Sequence, residues 1–264
     1  MNRTGLDESL VSLVAPHSFA AEQYRILRML IEQMHKDADL RLIAVASAGV
    51  GDGKTTTAIN LAGSLAQAPE TRVLLIDADL RRAALGERLG LDRSGAGLVD
   101  VIKDPGRTLP DVVQRCPAFN LSVLPAGPRA AGSFELLRSP RFGELLTEAR
   151  ETYDYVVIDT APLVPIPDSR LIAKWVEGFL LVVAAHRTPR RLVEEALNAL
   201  SPAQVIGLVF NNDDRPFFGY YGSYGSYSAY GEASNGHRPR WWKRGSKAPS
   251  PSLGWQGRSD RSAS

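Results

Sequence analysis

The stretch Ala48-Gly49-Val50-Gly51-Asp52-Gly53-Lys54-Thr55 decides how this chain is read. Glycines at 49, 51 and 53 let successive backbone N–H groups curl inward, and Lys-Thr directly after the last of them opens a helical pattern from Thr55 to about Gln67. A loop of this kind between a strand and a helix N-terminus cradles phosphates. The amides and the helix dipole favour negative charge, Lys54 reaches the β and γ phosphates, and the Thr55 hydroxyl ligates Mg²⁺. Gly49, Gly51, Asp52, Gly53, Lys54, Thr55 and Thr56 are therefore the candidate nucleotide contacts, and ATP with Mg²⁺ the implied ligands. Ala48 stands where the pattern usually has its first glycine. The strand, loop and helix context separates the motif from an incidental glycine-rich turn.

Outward from the loop, apolar runs at Leu42 to Ala46, Val73 to Ile76, Leu121 to Leu124, Val156 to Ile158, Phe179 to Ala184 and Val205 to Phe210 are separated mostly by helical patterns. Runs apolar on both faces, alternating with helices, predict an α/β fold: a P-loop NTPase with a mostly parallel sheet covered by helices on both faces. Ser18 is placed to cap an amphipathic opening helix reaching about Lys36. Ser139-Pro140 and Thr188-Pro189 signpost two later helices, to about Glu151 and Leu200, each as a cap residue followed by proline. Two strands run into carboxylates, Val73-Leu-Leu-Ile76 into Asp77-Ala78-Asp79 and Val156-Val157-Ile158 into Asp159. In a parallel sheet these acids emerge at the carboxyl edge beside the phosphate loop. Asp77, Asp79 and Asp159 are thus expected to converge on one magnesium ion with Thr55. Period 2 puts Asp77 and Asp79 on one side of an extended segment, so that one holds the ion and the other accepts the proton of an incoming hydroxyl.

With 264 residues, 44% of them hydrophobic, the chain has material for one well-buried domain and a tail. Its single cysteine, Cys116, excludes an internal disulfide framework and a cysteine metal site. No apolar region follows a basic start, and no apolar run nears the 18 or so residues of a membrane helix, so a cytoplasmic chain is expected. The division expected is an arm over 1–17, a nucleotide-binding domain over 18–212 and a disordered tail over 213–264. Five of the eight tyrosines, Tyr220, Tyr221, Tyr224, Tyr227 and Tyr230, sit in that tail among Gly and Ser, a composition that cannot bury enough apolar surface to fold. The formal charge is +2, yet residues 236–264 hold seven Lys/Arg and one acid, leaving about +6 there and −4 elsewhere. The basic stretch His237-Arg-Pro-Arg240-Trp241-Trp242-Lys243-Arg244 makes a peripheral membrane contact a candidate, and no nucleic-acid partner is expected.

These residues together resemble the BY-kinase family, the bacterial protein-tyrosine kinases of capsule and exopolysaccharide systems, over about residues 10–231. The resemblance is carried by Leu74-Leu-Ile-Asp77-Ala-Asp79-Leu80-Arg81, by Val156-Val-Ile-Asp159-Thr-Ala-Pro162, by Leu124-Pro-Ala-Gly127 with Glu135-Leu136-Leu137, and by the tyrosine cluster. It implies that Lys54 and Thr55 contact ATP and Mg²⁺, that Asp77 is the base, and that Asp79 and Asp159 surround the metal. It further implies that Glu22, Arg25 and Arg28 on the opening helix join subunits into a ring, which presents the tyrosines of one subunit to the next for autophosphorylation. Asn211 falls where related ATPases contact adenine. The resemblance also implies a separate transmembrane activator of the polysaccharide co-polymerase type and recruitment to the inner face of the cell membrane. Ala83 and Ala161 stand where the family usually has prolines, which changes loop stiffness more than chemistry.

Two other functions fit parts of the pattern. A partitioning-type ATPase switch shares the Walker motifs, but such proteins carry an extra lysine near the start of the loop, where this chain has Ala48, and lack a tyrosine cluster. A nucleotide-gated scaffold of a polysaccharide export complex would not need Lys54, Thr55, Asp77, Asp79 and Asp159 together.

Overall fold

Every residue of β1, Leu42–Ser47, is buried, and the strand distributes its side chains by parity. Leu42, Ala44 and Ala46 enter one apolar cluster, while Ile43 and Val45 enter another on the opposite face of the sheet. The same sorting holds for β2, Val73–Asp77, and for β5, Tyr155–Asp159, on which Leu74, Ile76, Val156 and Ile158 face the first cluster and Val73, Leu75, Tyr155 and Val157 the second. The computed structural model describes residues 6–92, 95–116, 119–129 and 131–213. The tyrosine cluster and the basic end lie outside the described residues.

The remaining strands are β3, Gln114–Cys116, β4, Leu121–Leu124, β6, Gly178–Ala184, and β7, Val205–Asn211. The sheet runs β3-β4-β2-β5-β1-β6-β7, parallel throughout except where β3 pairs antiparallel to β4. The expected α/β architecture is present, and β3 is the strand that the apolar pattern did not announce. On the second face lie α1, Val11–Val14, α2, Phe19–Ala38, α3, Lys54–Leu65, and α4, Leu85–Arg88. The first face is covered by α5, Leu98–Lys103, α6, Leu109–Val112, α7, Ser133–Arg138, α8, Pro140–Thr152, α9, Asp168–Ile172, and α10, Arg190–Asn198. Ser18 caps α2 by accepting the Ala21 N–H, and Ser139 caps α8 by accepting that of Phe142. Among the described residues no helix is long and apolar enough to cross a membrane.

From residue 6 onward, the expected N-terminal arm is packed into the domain. Leu10 is fully buried in the second cluster, and Asn60 of α3 fastens the segment. The Asn60 amide accepts the Ser12 N–H at 2.8 Å and donates to the Ser9 carbonyl at 2.9 Å and the Thr56 carbonyl at 3.0 Å. Replacing Asn60 by Ala strands buried backbone groups, so Asn60→Ala is expected to cost about 2 kcal/mol in chemical denaturation, with the midpoint lowered and the slope unchanged.

Candidate active site

The parity that sorts the core also aims the acids. Val73 and Leu75 on β2, and Tyr155 and Val157 on β5, face α3, so Asp77 and Asp159, next in the same alternation, face it too. They are register partners on adjacent strands, and each is 1% exposed. Because α3 opens at Lys54, the strand ends deliver the carboxylates to the phosphate loop. Lys54 Nζ lies 2.9 Å from Asp79 Oδ2, 3.9 Å from Asp159 Oδ1 and 3.4 Å from Thr55 Oγ1.

Burial pushes Asp77 well above the ordinary carboxylate range, the charge of Asp159 adds to it, and the amides of Leu85 and Ala84 oppose it. Burial pushes Asp159 up as well, against the pull of Lys54. Burial would lower the Lys54 pKa, but the charges of Asp159 and Asp79 outweigh it and raise it. Asp77 Oδ2 accepts the N–H groups of Ala84 and Leu85, each at 3.0 Å, which fixes the turn into α4 where the family's proline is missing. Among the described residues, Asp77 Oδ1 and both oxygens of Asp159 have no hydrogen-bond donor. Buried carboxylate oxygens without a donor are costly unless a cation answers them, and hard oxygen donors suit Mg²⁺. The donor set therefore fits the ion.

The three expected carboxylates take different partners in this structure. Asp79 is turned to Lys54, and its Oδ1 accepts the Arg82 N–H at 3.1 Å. Among the described residues no three acidic, His or Cys side chains are grouped to hold an ion. Asp77 and Asp159 lie side by side while Asp79 holds the lysine, because one buried ammonium offsets the nearest carboxylate more cheaply than two stay unpaired.

The loop itself is tied down by residues far away in sequence. Gly51 and Gly53 have φ of +83° and +98°, and a Cβ on Gly53 would lie 1.9 Å from Asn211 Nδ2. That amide donates to the Asp52 carbonyl at 2.9 Å, so Asn211, expected at adenine, is turned onto the loop. The Asp52 carboxylate accepts the Gly49 N–H at 2.9 Å and the Thr188 hydroxyl at 2.8 Å. Asp52 and Gly49 therefore shape the loop, and the Gly49 amide points at a carboxylate and is withdrawn from any phosphate. Thr188 does not cap α10, whose N-cap is Pro189 with no side-chain bond. Its oxygen accepts the Ala184 N–H at 3.0 Å and joins the end of β6 to Asp52. Arg88, which no motif announced, donates to the Thr56 hydroxyl at 2.5 Å and links α4 to α3.

On α2, the Glu22, Arg25 and Arg28 spacing is largely answered inside the chain. Arg25 pairs with Glu22 at 2.6 Å and donates to the Pro16 carbonyl. Arg28 pairs with Glu32 at 2.6 Å and donates to the Ser64 carbonyl at 2.9 Å, a cation at the C-terminus of α3. Arg28 thereby ties α2 to α3 within the chain. Beside them Phe19, Ile26, Met29 and Leu30 are exposed apolar residues on the same helix.

The family model of the AAA domain matches residues 40–171, which places the chain among the P-loop nucleotide-binding proteins. Tyrosine-protein kinase YwqD of Bacillus subtilis is 32% identical over 221 residues, covering 82% of this chain and 92% of that protein. The succinoglycan biosynthesis transport protein ExoP of Rhizobium meliloti is 36% identical over 218 residues, 81% of this chain but 27% of ExoP, so the chain spans about a quarter of that relative's length. The kinase domain of Escherichia coli tyrosine kinase ETK superposes with a TM-score of 0.71 at 25% identity, covering 80% of this chain and 84% of that one. Within the P-loop class, the chain belongs to the family of bacterial tyrosine-protein kinases, and the partitioning-ATPase alternative gives way to that assignment.

The Asn211 geometry separates two roles by measurement. An amide that braces the loop serves any nucleoside triphosphate, so Asn211→Ala should weaken ATP and GTP binding by similar factors, about tenfold, in isothermal titration. An amide on adenine would cost ATP alone.

Proposed function

We propose that this chain transfers the γ-phosphoryl group of ATP to tyrosines of a C-terminal segment like its own, reached in trans. The observation that carries the proposal is the pair of buried carboxylates, Asp77 and Asp159, opposite Lys54 at the foot of the phosphate loop. When bound, Mg²⁺ supplies the positive charge that offsets the phosphate oxygens. Thr55 and Asp159 would hold the ion, the latter with two oxygens that have no donor. Amides from Gly51 to Thr55 at the start of α3 bind phosphate, and Lys54 exchanges Asp79 for the β and γ phosphates. Asp77 Oδ1 takes the proton of the tyrosine hydroxyl as the phenolic oxygen bonds to the γ-phosphorus. The bond to the bridging oxygen breaks, and ADP and phosphotyrosine result. The rigid turn held by Asp77 Oδ2 keeps Oδ1 in place for that step.

The acceptors proposed are Tyr220, Tyr221, Tyr224, Tyr227 and Tyr230. A homo-oligomeric ring through α2 would deliver them, with Phe19, Ile26, Met29 and Leu30 supplying the apolar contact beside Glu22 and Arg25. Because the relative ExoP is a succinoglycan biosynthesis transport protein, the activity is proposed to serve polysaccharide synthesis or export, beside a separate transmembrane activator at the cytoplasmic face of the membrane.

Incubation with Mg²⁺-ATP should give an anti-phosphotyrosine signal that disappears in Lys54→Met, in Asp77→Asn and in a chain whose five cluster tyrosines are phenylalanine. A signal persisting in the phenylalanine chain would place the acceptor elsewhere. Met29→Glu with Leu30→Glu should shift the chain to monomer in light scattering and lower tail phosphorylation at least about tenfold, since a charge in an apolar contact removes its driving force. An unchanged mass would exclude α2 as the contact.

A further inference from the structure

Next to the phosphate site, on the far side of Asp77, lies a cavity of about 380 Å³, within the range of small-ligand sites, about 300–1,000 Å³. One wall is the segment from Leu80 to Ala83 that follows β2, and the other is the segment from Pro125 to Arg129 that follows β4. Both walls are fixed by backbone. Asp77 and Asp79 hold the first through the amides of Arg82, Ala84 and Leu85. The second accepts the N–H groups of Leu98 and Val99 on the Pro125 and Ala126 carbonyls, at 2.8 and 3.0 Å. That approach is so close that a Cβ on Gly97 would lie 2.3 Å from the Gly127 nitrogen.

Three arginines line this cavity, and they differ in what they already hold. Arg81 is committed to Asp168 through two hydrogen bonds of 2.8 and 3.1 Å, and Asp168 is buried and also bonded to Ser133. Arg82 and Arg129 are exposed, and among the described residues their guanidinium groups have no ion pair or hydrogen bond. The acids Glu87 and Asp92 also line the cavity and are engaged in interactions of their own. Two guanidinium groups are therefore left facing a cavity that has the base, Asp77, in its lining.

We infer that Arg82 and Arg129 form a subsite for a phosphotyrosine already made on the C-terminal segment, and that its capture presents the next tyrosine to Asp77. The inference rests on the kinase reading given above. Between Phe217 and Asn235 the chain carries one charged residue, Glu232, so the unmodified cluster offers the arginines almost nothing. A phosphate adds about −1.5 to −2 charges and oxygens that a guanidinium binds as a fork. Tyr221, Tyr224, Tyr227 and Tyr230 follow one another at intervals of three residues, about 10 Å of extended chain. One phosphate on the arginines thus leaves a neighbouring tyrosine within reach of Asp77. The repulsion that Asp77, Asp79 and Asp159 exert on a phosphorylated segment is offset in this cavity, and phosphorylation of the cluster promotes itself.

The test uses the full chain, cleared of phosphate, with Mg²⁺ and a non-hydrolysable ATP analogue, and a labelled peptide of residues 217–231 either unmodified or phosphorylated at Tyr227. The phosphopeptide is expected to bind about tenfold more tightly, Arg82→Gln with Arg129→Gln to erase the difference, and Arg82→Lys with Arg129→Lys to keep part of it. In a mass-spectrometric time course with ATP, the rate of the second phosphate relative to the first should exceed the value for independent tyrosines and fall to it in the Gln variant. Equal affinity for the two peptides overturns the inference, as does a preference that survives the Gln variant. So does a preference found in a parallel titration without the nucleotide analogue but absent with it, since the arginines would then serve the nucleotide. Peptide binding needs no turnover. Preferential binding without any phosphorylation of the chain's own tyrosines would sink the kinase reading and leave the subsite standing, whereas phosphorylation with equal binding would sink the subsite alone.

Discussion

Asp77 and Asp159 emerge side by side from the adjacent strands β2 and β5 and are buried with one ammonium in reach. Carboxylates packed this way repel each other in a medium that screens them poorly, and the local structure is arranged around that repulsion. Asp77 gives one oxygen to two amides, which freezes the turn into α4. Asp79 takes the lysine at 2.9 Å, and Asp159 keeps only a longer contact with it, at 3.9 Å. A cation or a proton at this position relieves that repulsion, and burial accordingly pushes the pKa of both carboxyls up. The parallel sheet imposes the pairing, because its register sets Asp77 directly opposite Asp159.

The rest of the site hangs on hydrogen bonds that reach far along the chain. Thr188 meets Asp52 across 136 positions, and Asn211 meets it across 159. The phosphate loop is thus braced by the ends of β6 and β7, while its own glycines supply the dihedral freedom to accept the brace. Short helices such as α4, α6 and α9, four or five residues each, lack the length to persist alone and are held by what they dock against. Of these only α4, through Gly86 and Glu87, reaches the cavity beside Asp77, whereas the longer α2, α3 and α8 provide the rigid frame.

Period and punctuation made much of this legible in the sequence. The apolar runs, Leu42 to Ala46 and its counterparts, predicted six strands close to their limits, and the glycine spacing predicted the phosphate loop. Ser18 and Ser139 cap as their positions suggest. Thr188 carries the same signature and does otherwise, because a buried carboxylate competes for its hydroxyl, and no local pattern records that competitor. Gln114–Cys116 was silent because a three-residue edge strand with one buried side chain has no period to detect. The resemblance implies a subunit contact for Arg28, and no local pattern announces that it also lies against the end of α3, a contact made by tertiary packing. The bond from Asn211 to the Asp52 carbonyl left no mark in the sequence, since the direction of a side chain follows from the register between β6 and β7 and from the loop beneath it.

The contact between Gly53 and Asn211 has a consequence for how this sequence can change over time. A side chain at 53 would need the space of the Asn211 amide, and the left-handed backbone there strains any residue with a Cβ even if that space were cleared. A shorter residue at 211 therefore cannot license drift at 53, although drift at 53 would force a change at 211. The dependence runs one way. Descendants of this chain can lose the amide and keep the glycine, but a lineage that lost the glycine would have to lose the amide with it.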